Sequence, residues 1–550
     1  MTRGRLLGLA AAGASALYAA PRGLAAAVGS GAPRLFRIKV RNTGASYAGD
    51  RRLLATVSPG VLGRDTAAVD FFLERAATVR LEAVRAVGLK RREIVWEQAR
   101  RLPPGDHALR WAPPTGTAVG SYLARLVVQD DATGARRAYG GHKPLVPGRS
   151  RGPVVRVLGI EAAFERASYR AFEPMRLTIR ADAPSLRLTF LRVGWEPIAS
   201  LRFDELGGAP VGNPVRIDWT GKRAAPRTIE IQSGPWPHGL YAARLEAPDG
   251  RIGFAPFVLQ PTEPNPSRAA IVLPTNTWQA YNFHDADGDG FGDTWYAGGD
   301  PPVRLDRPYR DRGVPPRFNR YDNRFLQWLR RTGRTPDVLT EDDLEAIRSG
   351  NELRRRYDLV VLPGHTEYVT EHAYNVVEGF RDHGGRLIFL SANNFFWKVR
   401  RRGRSIRRVA LWRDLGRPEA RLIGAQYRAG DGGGAQGVYY VLGADKAPWL
   451  FAGTGLRNFS RIGDVVGGYG IEIDGTTKDS PPETQVLAIV PSLLGPGLHG
   501  EMTYYETPAG ARVFAAGTLD FCTSVLTWPV WKLVDNLWRH MLEDVPRPPA

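Results

Sequence analysis

The chain has 550 residues, a hydrophobic fraction of 43% and a formal net charge of +19. Its length predicts about three to four domains, and its hydrophobic content, with 14 Trp, excludes a mainly disordered protein. The basic excess is mostly arginine, spread from end to end without a recognition motif, so we predict no nucleic-acid partner. Anionic surfaces such as cell envelopes remain electrostatic partners of a chain with this charge.

The N-terminal 30 residues have the pattern of an export signal. Arg3 and Arg5 precede an Ala-rich apolar run, and Ala25 begins a small-residue cleavage site. The run is too short and too rich in Ala to span a membrane comfortably, and no second run of spanning length follows. We therefore predict a secreted, periplasmic or cell-envelope protein with no transmembrane segment after signal removal; an uncleaved anchor is the alternative.

Residues 31–150 show alternating apolar and polar positions in short runs separated by Pro and Gly, as in 35–40 and 120–128. This period-two pattern is typical of a β-sandwich, and the runs at 102–109 and 120–125 resemble the last strands of an immunoglobulin-like module. Part of 66–92 has helix as an alternative. The same pattern returns over 151–262, where Gly-Leu-Tyr-Ala-Ala-Arg-Leu (239–245) resembles the earlier Gly-Ser-Tyr-Leu-Ala-Arg-Leu (120–126). We predict two tandem β-sandwich modules, and a Pro-rich linker at 261–266.

The pattern changes over residues 267–550. Continuous apolar runs at 269–274, 357–362 and 386–390 predict buried strands, and 371–383 predicts a helix that Gly384 and Gly385 end. Strand, helix and strand at this spacing indicate a right-handed parallel crossover. A strand at 512–517 and a helix over about 530–542 follow. The sequence therefore predicts one large α/β domain with a mainly parallel sheet.

Five polar or aromatic segments stand at strand ends or in adjacent loops of this domain, where ligands of parallel sheets bind. They are residues 277–282, 292–296, 365–368, 391–397 and 468–475. In order and setting, these segments resemble the C-terminal domain of the large subunit of N,N-dimethylformamidase, a fold related to class I glutamine amidotransferases. The resemblance covers roughly the last half of the chain.

The resemblance implies a mononuclear iron held by two tyrosines and one glutamate, with a carboxylate as acid and base nearby. Carried over by position, the iron ligands are Tyr281, Tyr296 and Glu367; His365 and Asn393 line the site, and Glu472 is the acid/base residue. Phenolate and carboxylate oxygens are hard anions suited to a hard cation. Tyr309 and Tyr368 are substitutes for Tyr296, because the loop after Tyr281 differs from the family pattern.

Each of these residues also has a plain structural interpretation. Tyrosines near strand ends usually pack, Glu367 is placed to cap the following helix, and Asn393 is an ordinary turn residue. His365 can bond to the backbone, and Glu472 can flank a Gly-rich turn. Their joint presence is what favours a site.

Residues 285–293 have the pattern of a calcium loop. Asp285, Asp287, Asp289 and Asp293 occupy loop positions 1, 3, 5 and 9, and Gly290 occupies position 6. The twelfth position, normally a bidentate Glu, is Tyr296. Either a structural Ca²⁺ takes further ligands from elsewhere, or the loop reshapes the segment that provides an iron ligand.

Other chemistries find no support in the sequence. No Gly-x-Ser-x-Gly, phosphate loop or His-Glu-x-x-His occurs, which disfavours serine hydrolases, nucleotide hydrolases and zincins. The single Cys522 excludes an intrachain disulfide, and we expect it to be packed rather than reactive.

Two functions follow from these patterns. The first is an exported iron-dependent hydrolase of amide or other C–N bonds, acting on a small-molecule or envelope-derived amide. The second is a non-catalytic envelope protein that binds carbohydrate or protein through aromatic loops, with Trp278, Trp295 and Trp397 as stacking surfaces.

Overall fold

The protein is a multidomain, predominantly β protein, with about 40% of its residues in strands and 15% in helices. The computed structural model describes residues 31–542 except 87–91, 143–150, 198–199, 201, 223–224, 262–267, 298–300 and 464–467. The predicted export signal at 1–30 and nearly all of the predicted linker lie outside these residues. Within them, no helix is long and apolar enough to cross a membrane.

The first module contains nine strands among its described residues. In chain order they are β1 Leu35–Asn42, β2 Leu54–Val57, β3 Ala67–Leu73, β4 Ala77–Ala86, β5 Arg92–Leu102, β6 Gly105–Trp111, β7 Gly120–Gln129, β8 Arg136–Tyr139 and β9 Val154–Val157. One sheet has the order β1-β3-β6 and the other the order β2-β9-β7-β4-β5, with β8 on β7. Apolar side chains of both sheets share one core, so the module is a β-sandwich as predicted.

Two details differ from expectation. Residues 67–86 form two strands, β3 and β4, so the helical alternative is wrong for this described part of 66–92. Strand β9 pairs with β2 and β7 of the first sandwich, although it follows the predicted division at 150/151. Its four residues are all buried, because it fills a place between two strands of a sheet.

In the part of the second module that the structure describes, there are eight strands. They are β10 Glu161–Phe164, β11 Ser168–Arg170, β12 Pro174–Arg180, β13 Ser185–Arg192, β14 Ala209–Asp218, β15 Arg227–Gln232, β16 Gly239–Glu246 and β17 Ile252–Gln260. They form sheets of order β10-β12-β15 and β11-β17-β16-β13-β14 around a second core.

The repeated Gly-x-Tyr motif takes the same conformation in both sandwiches. Gly120 and Gly239 have φ of 131° and 149°, a region that side chains rarely adopt. Two residues later, the hydroxyls of Tyr122 and Tyr241 each donate to the carbonyl oxygen four residues earlier. This tyrosine corner is typical of Greek-key sandwiches and explains the sequence similarity of the two motifs.

The last and largest region carries seventeen strands and nine α-helices among its described residues. The strands are β18 Ala269–Leu273, β19 Val303–Arg304, β20 Asp337–Thr340, β21 Leu359–Leu362, β22 Tyr368–Thr370, β23 Arg386–Phe389, β24 Trp397–Arg402, β25 Ser405–Leu411, β26 Gln426–Gly430, β27 Gln436–Gly437, β28 Tyr439–Val441, β29 Arg461–Ile462, β30 Tyr469–Gly470, β31 Glu472–Gly475, β32 Gln485–Val490, β33 Gly500–Glu506 and β34 Arg512–Ala515. The α-helices are α1 Thr275–Ala280, α2 Phe318–Tyr321, α3 Asn323–Arg331, α4 Glu341–Ala346, α5 Gly350–Arg356, α6 Glu371–Asp382, α7 Ala420–Ile423, α8 Pro448–Phe451 and α9 Val530–Leu542.

The main sheet of this region is mixed. Its order is β20-β18-β21-β23-β34-β33-β32-β28-β29. The first five strands, β20 to β34 in this order, are parallel to one another. Strand β33 pairs antiparallel with β34, and β32, β28 and β29 continue the sheet with antiparallel pairing. The prediction of a mainly parallel, glutamine amidotransferase-like α/β domain is therefore not supported. The short strands in the C-terminal part of the sheet pair antiparallel with their neighbours. The periodicity of apolar residues in the sequence does not show whether a buried strand pairs in the parallel or the antiparallel direction.

The parallel half of the sheet is covered on both faces. Helices α3 and α9 contribute to the core on one face, and α5 and α6 contribute to the core on the other. Strands β18, β21 and β23 are consequently buried at every position. Their carboxyl ends open at one edge of the sheet, and the polar segments follow there.

Candidate active site

The carboxyl ends of β18, β21 and β23 bring three of the predicted segments together. After β21 the chain turns at Gly364, where an added Cβ would lie 2.0 Å from Asp322 Oδ1. The Glu367 amide donates to Thr277 Oγ1 at 3.0 Å, and the Thr366 amide donates to Asn394 Oδ1 at 3.1 Å. The backbone before Glu367 is thus fixed by side chains that follow the two neighbouring strands.

Tyr281 and Glu367 are in direct contact. The Tyr281 hydroxyl donates to Glu367 Oε2, and the Tyr368 hydroxyl lies 3.4 Å from that of Tyr281. Glu367 is 4% exposed, and burial together with the charge of Glu472 raises its pKa well above the ordinary value. Burial and the charge of Glu367 likewise raise the pKa of Tyr281.

Tyr296 reaches the same point from the other end of the aspartate-rich loop. It lies in a 3₁₀ turn at Trp295–Ala297, and its ring stacks on that of Tyr281 with centroids 3.9 Å apart. It hydrogen-bonds to Tyr281, and burial of its hydroxyl end and the charges of Glu472 and Glu367 raise its pKa, although 36% of the residue is exposed. Tyr296, at the twelfth position of the loop, therefore lies against Tyr281 in the site.

His365 stands between the two carboxyl groups. Its Nε2 lies 3.5 Å from Glu367 Oε2 and 3.4 Å from Glu472 Oε2. Burial lowers the pKa of His365 to about 3, so the imidazole is neutral at neutral pH. Among the described residues, neither His365 Nε2 nor Glu472 Oε2 makes a hydrogen bond of acceptable geometry.

Asn393 links the carboxyl groups from the third strand end. Its side chain hydrogen-bonds to Glu367 and Glu472, and its backbone has φ of 53°, in the left-handed region. The Asn393 amide donates to Asp474 Oδ1 at 2.8 Å. Asp474 is buried in β31, two residues after Glu472, so one strand supplies both the proposed acid/base group and the support of Asn393.

Glu472 enters the cluster from β31, which pairs antiparallel with β26. Burial raises its pKa to about 7. The six residues that the sequence predicts for the site are therefore adjacent in space: Tyr281, Tyr296, Glu367, His365, Asn393 and Glu472.

Of the two substitutes for Tyr296, the structure places Tyr368 beside these six residues. Tyr368 lies beside Tyr281 and hydrogen-bonds to Glu367. Tyr309 lies half-buried elsewhere, hydrogen-bonded to Gln279 and packed against Trp278. Tyr309 is thus not part of the site.

Sequence reasoning missed Tyr321 and Asp474. Tyr321 is buried at the end of α2 against Ala392 and Ile471, and this burial, with smaller contributions from the charges of Asp520 and Glu472, raises its pKa to about 12. The position of Tyr321 is predictable from the topology. The chain leaves β18 at the edge of the sheet where the site lies and returns along the sheet through α3, so the residues just before α3 lie at that edge. The pairing that places Asp474 has no comparable signal in the sequence.

The proposed aromatic stacking surfaces are largely buried. Trp278 and Trp295 are each 5% exposed, and Trp278 Nε1 donates to Asp322 Oδ2 at 3.3 Å. Trp397 is half-buried with the Arg408 guanidinium 4.9 Å above its ring. Two of the three rings therefore present no free face to a ligand.

Cys522 is buried, and its thiol lies 3.2 Å from the Pro363 carbonyl oxygen. Burial raises its pKa well above the ordinary value. The thiol is accordingly a packed group, as expected, with no thiolate character.

The aspartate-rich loop is a separate group of carboxylates. Asp285, Asp287 and Asp289 each place one oxygen within 4.8 Å of the others, an arrangement that can hold a metal ion. Asp285 Oδ1 accepts the amide of Gly288 at 2.7 Å, and Asp293 Oδ2 accepts that of Ala286 at 2.8 Å. Burial and the other three carboxylates raise the pKa of Asp287 to about 8.

Comparison with known proteins places this site in a family. The family model described as "N,N-dimethylformamidase beta subunit-like, C-terminal" matches residues 218–530, and the chain belongs to that family. The N,N-dimethylformamidase beta subunits of an Alcaligenes species and of Paracoccus aminophilus are 25% and 26% identical to it. Each alignment covers 41% of this chain and 37% of the relative, so the chain spans about a third of the length of these relatives.

Solved structures add little. An adhesin of Yersinia pseudotuberculosis is 14% identical, covering 38% of this chain and 56% of its own, with a TM-score of 0.13. A Bacteroides ovatus protein from a mixed-linkage glucan utilization locus is 12% identical, covering 40% and 45%, with a TM-score of 0.16. Neither likeness is close enough to bear on the fold or the function.

Proposed function

We propose that the chain is an iron-dependent hydrolase of amide or related C–N bonds. The observation that carries the proposal is a buried group of acidic side chains in which, among the described residues, neither Glu367 nor Glu472 forms an ion pair with Lys or Arg. Burial is the largest influence on the pKa of Tyr281, Glu367 and Glu472, and the charge of Glu472 raises the pKa of Tyr281 and Glu367 further. Buried anions require a cation or protons, because isolated burial of charge is costly.

The donor set suits a hard metal ion. Tyr281, Tyr296 and Glu367 would hold the iron through two phenolate oxygens and one carboxylate oxygen, which are hard ligands. Tyr368 and Tyr321 stand near enough to be tested as alternatives for the second phenolate. When bound, the iron supplies Lewis-acid chemistry, which polarises the carbonyl group of an amide.

The remaining residues are placed for proton transfer. Glu472 accepts a proton from water as the oxygen forms its bond to the amide carbon, and it delivers that proton to the nitrogen as the C–N bond breaks. His365, neutral and adjacent to Glu472 Oε2, and Asn393, hydrogen-bonded to both carboxyl groups, orient Glu472 and Glu367. The products are a carboxylic acid and an amine.

The substrate and location belong to the same proposal. A small-molecule or envelope-derived amide, met by a secreted or periplasmic enzyme, agrees with the N-terminal pattern of Arg3, Arg5 and the Ala-rich run.

Amine release from a panel of formamides, acetamides and peptide-like amides tests the reaction. We expect the iron-loaded protein to hydrolyse at least one class, and the exposed-surface variant Glu371→Gln to match it, since the Glu371 side chain is 58% exposed and pairs with Lys398. A protein that is fully iron-loaded yet inert toward every amide in the panel would contradict the proposed reaction.

We also propose that the aspartate-rich loop binds structural Ca²⁺ through Asp285, Asp287, Asp289 and Asp293. Carboxylates at these spacings match a calcium loop, and three of them already converge. A cation would relieve the mutual repulsion that raises the pKa of Asp287.

Thermal unfolding with and without Ca²⁺ tests this site. At a hundredfold excess over Kd, binding stabilises the folded state by about 2.7 kcal/mol, so we expect the Tm to rise by several degrees. The rise should vanish in Asp287→Ala and persist in the control Asp414→Ala, a change at an exposed aspartate far along the chain. An equal rise in Asp287→Ala would exclude the loop as its origin.

A further inference from the structure

The loop between Tyr281 and Tyr296 is anchored on the first β-sandwich. The ring of Phe291 is 7% exposed and packs in one apolar group with Leu54, Leu123 and Val154 of that sandwich. The Arg51 guanidinium donates to the carbonyl oxygens of Asp287 at 2.7 Å and Gly288 at 3.1 Å. The outer end of the loop is therefore held by apolar packing and by hydrogen bonds.

Two glycines allow this close approach. Gly288 and Gly290 have φ of 72° and 91°. A Cβ at Gly288 would lie 2.4 Å from Leu54 Cδ2, and one at Gly290 would lie 2.4 Å from Leu123 Cδ2. Glycine at both positions thus serves the contact with the sandwich as well as the turn of the loop.

A second contact runs from the sandwich to the tyrosine rings. The Arg310 guanidinium lies 5.1 Å above the Phe283 ring, and its Nη1 lies 3.5 Å from the Ala86 carbonyl oxygen of β4. The Phe283 ring is stacked with Tyr296, with centroids 6.2 Å apart and planes 11° apart. Tyr296 in turn stacks on Tyr281, so four side chains form a column from the sandwich to the site.

The base of the loop is fixed within the last region of the chain. The buried Arg307 donates to the carbonyl oxygens of Gln279 at 2.6 Å and Asp293 at 2.8 Å. Thr294 Oγ1 donates to the Ala280 carbonyl oxygen at 2.8 Å. These bonds hold the backbone beside each tyrosine, whereas the ring of Tyr296 is placed by the faces of Phe283 and Tyr281.

We propose that the first β-sandwich is a positioning element of the site: through Phe291, Arg51 and the Arg310–Phe283 stack, it fixes the loop that carries Tyr296. The proposal rests on the proposed function only in taking Tyr296 as a site residue. It gives the N-terminal module a role in the chemistry of a domain that lies far along the chain. Phe291, Phe283 and Arg310 are positioning residues and do not touch the reacting atoms.

Hydrogen exchange of the full-length, metal-free protein tests the anchoring directly. The Asp293 amide, which donates to the His284 carbonyl oxygen at 3.0 Å, reports opening of the loop. In Phe291→Ala and Arg51→Gln, we expect exchange in the segment 291–297 to become about tenfold faster or more, because the buried ring or the two hydrogen bonds no longer oppose opening. Exchange in β7 of the sandwich should stay unchanged.

Arg52→Gln is the matched control. Arg52 is also exposed, but its guanidinium bonds to the Ile38 carbonyl oxygen within the sandwich, so its removal should leave the loop unaffected. Unchanged exchange of 291–297 in both Phe291→Ala and Arg51→Gln would overturn the proposal. If Phe291→Ala also loosens β7, the surface variant Arg51→Gln decides.

Turnover measures whether the anchor acts through Tyr296. We expect Phe283→Ala to lower kcat at least about tenfold and Phe283→Tyr, which keeps a ring, to restore it. In the Tyr296→Phe background, Phe283→Ala should have little further effect, whereas full additivity would overturn a role through Tyr296. If the wild type hydrolyses no amide, the proposed reaction fails while the exchange experiment still decides the anchoring.

Discussion

Glu367→Gln is expected to abolish iron binding and, with it, amide hydrolysis. Glutamine keeps the size of Glu367 and a hydrogen-bonding partner for Tyr281, but it removes the charge that the metal requires. Loss of outer partners of a metal site alone costs about 10- to 100-fold in affinity, so loss of a direct ligand should raise the Kd by more than 100-fold. Metal analysis after dialysis, together with the visible absorption that iron-bound tyrosinate gives once the metal is oxidised, measures the effect.

Two controls separate this result from general damage. Glu371→Gln, at the exposed start of α6, should keep both iron and absorption. Tyr281→Phe should weaken the absorption, because it removes one of the two proposed phenolate ligands, the one whose hydroxyl contacts Glu367. Iron retained by Glu367→Gln at the wild-type level would show that this carboxylate is not a ligand.

Glu472→Gln is expected to lower turnover by about 10²- to 10⁴-fold, the range for loss of a positioned acid or base, while iron remains bound. Glutamine cannot accept the proton of water or return it to the amine. In the wild type we expect kcat/KM to rise with pH as Glu472 loses its proton, and the variant should lack this rise. Steady-state rates across pH, at equal iron content, measure both effects.

The Glu472→Gln substitution lowers turnover, but we do not expect it to lower the stability of the folded state. Burial raises the pKa of Glu472 to about 7, above its value in the unfolded chain. Its contribution to folding is therefore fully present at low pH and is lost as the pH rises through 7, where the buried group ionises. Glutamine avoids this loss, so the variant should be at least as stable as the wild type above pH 7.

Wild-type turnover in Glu472→Gln would show that Glu472 does not take part in the reaction.

The parts of the fold that the sequence predicts well are those with a strong local period. Helix α9 was expected over 530–542 and is observed at Val530–Leu542, and strand β21 was expected within 357–362 and is observed at Leu359–Leu362. Helix α9 buries its apolar face in one core, and alternate residues of β21 enter the cores on the two faces of the sheet. The alternation of the sandwich strands is equally local, and the tyrosine corners follow from two matching motifs.

The mixed character of the main sheet was not predictable in the same way. Strand β28 has three residues and β29 has two, and both join the sheet edge through pairing partners distant in sequence. Strand β9 pairs with a strand of the first sandwich, although the sequence pattern ends that module at residue 150. Such strands owe their position to tertiary contacts, and short apolar runs do not reveal the direction of pairing.

The site shows the same division. Glu367 and Asn393 follow buried parallel strands, so their meeting was predictable from topology. Tyr296 was uncertain because the aspartate-rich loop occupies the chain before it, and the decisive feature, stacking on Tyr281, depends on a loop held by another module. Asp474 supports Asn393 through a contact between segments 81 residues apart.

The most direct test of the account is the metal content of the wild-type protein, purified without added metal and washed with a weak chelator. We predict near-stoichiometric iron that disappears in Glu367→Gln and persists in Glu371→Gln. Wild-type protein that contains no iron and takes up none when it is offered would contradict the proposal that Tyr281, Tyr296 and Glu367 form one metal centre.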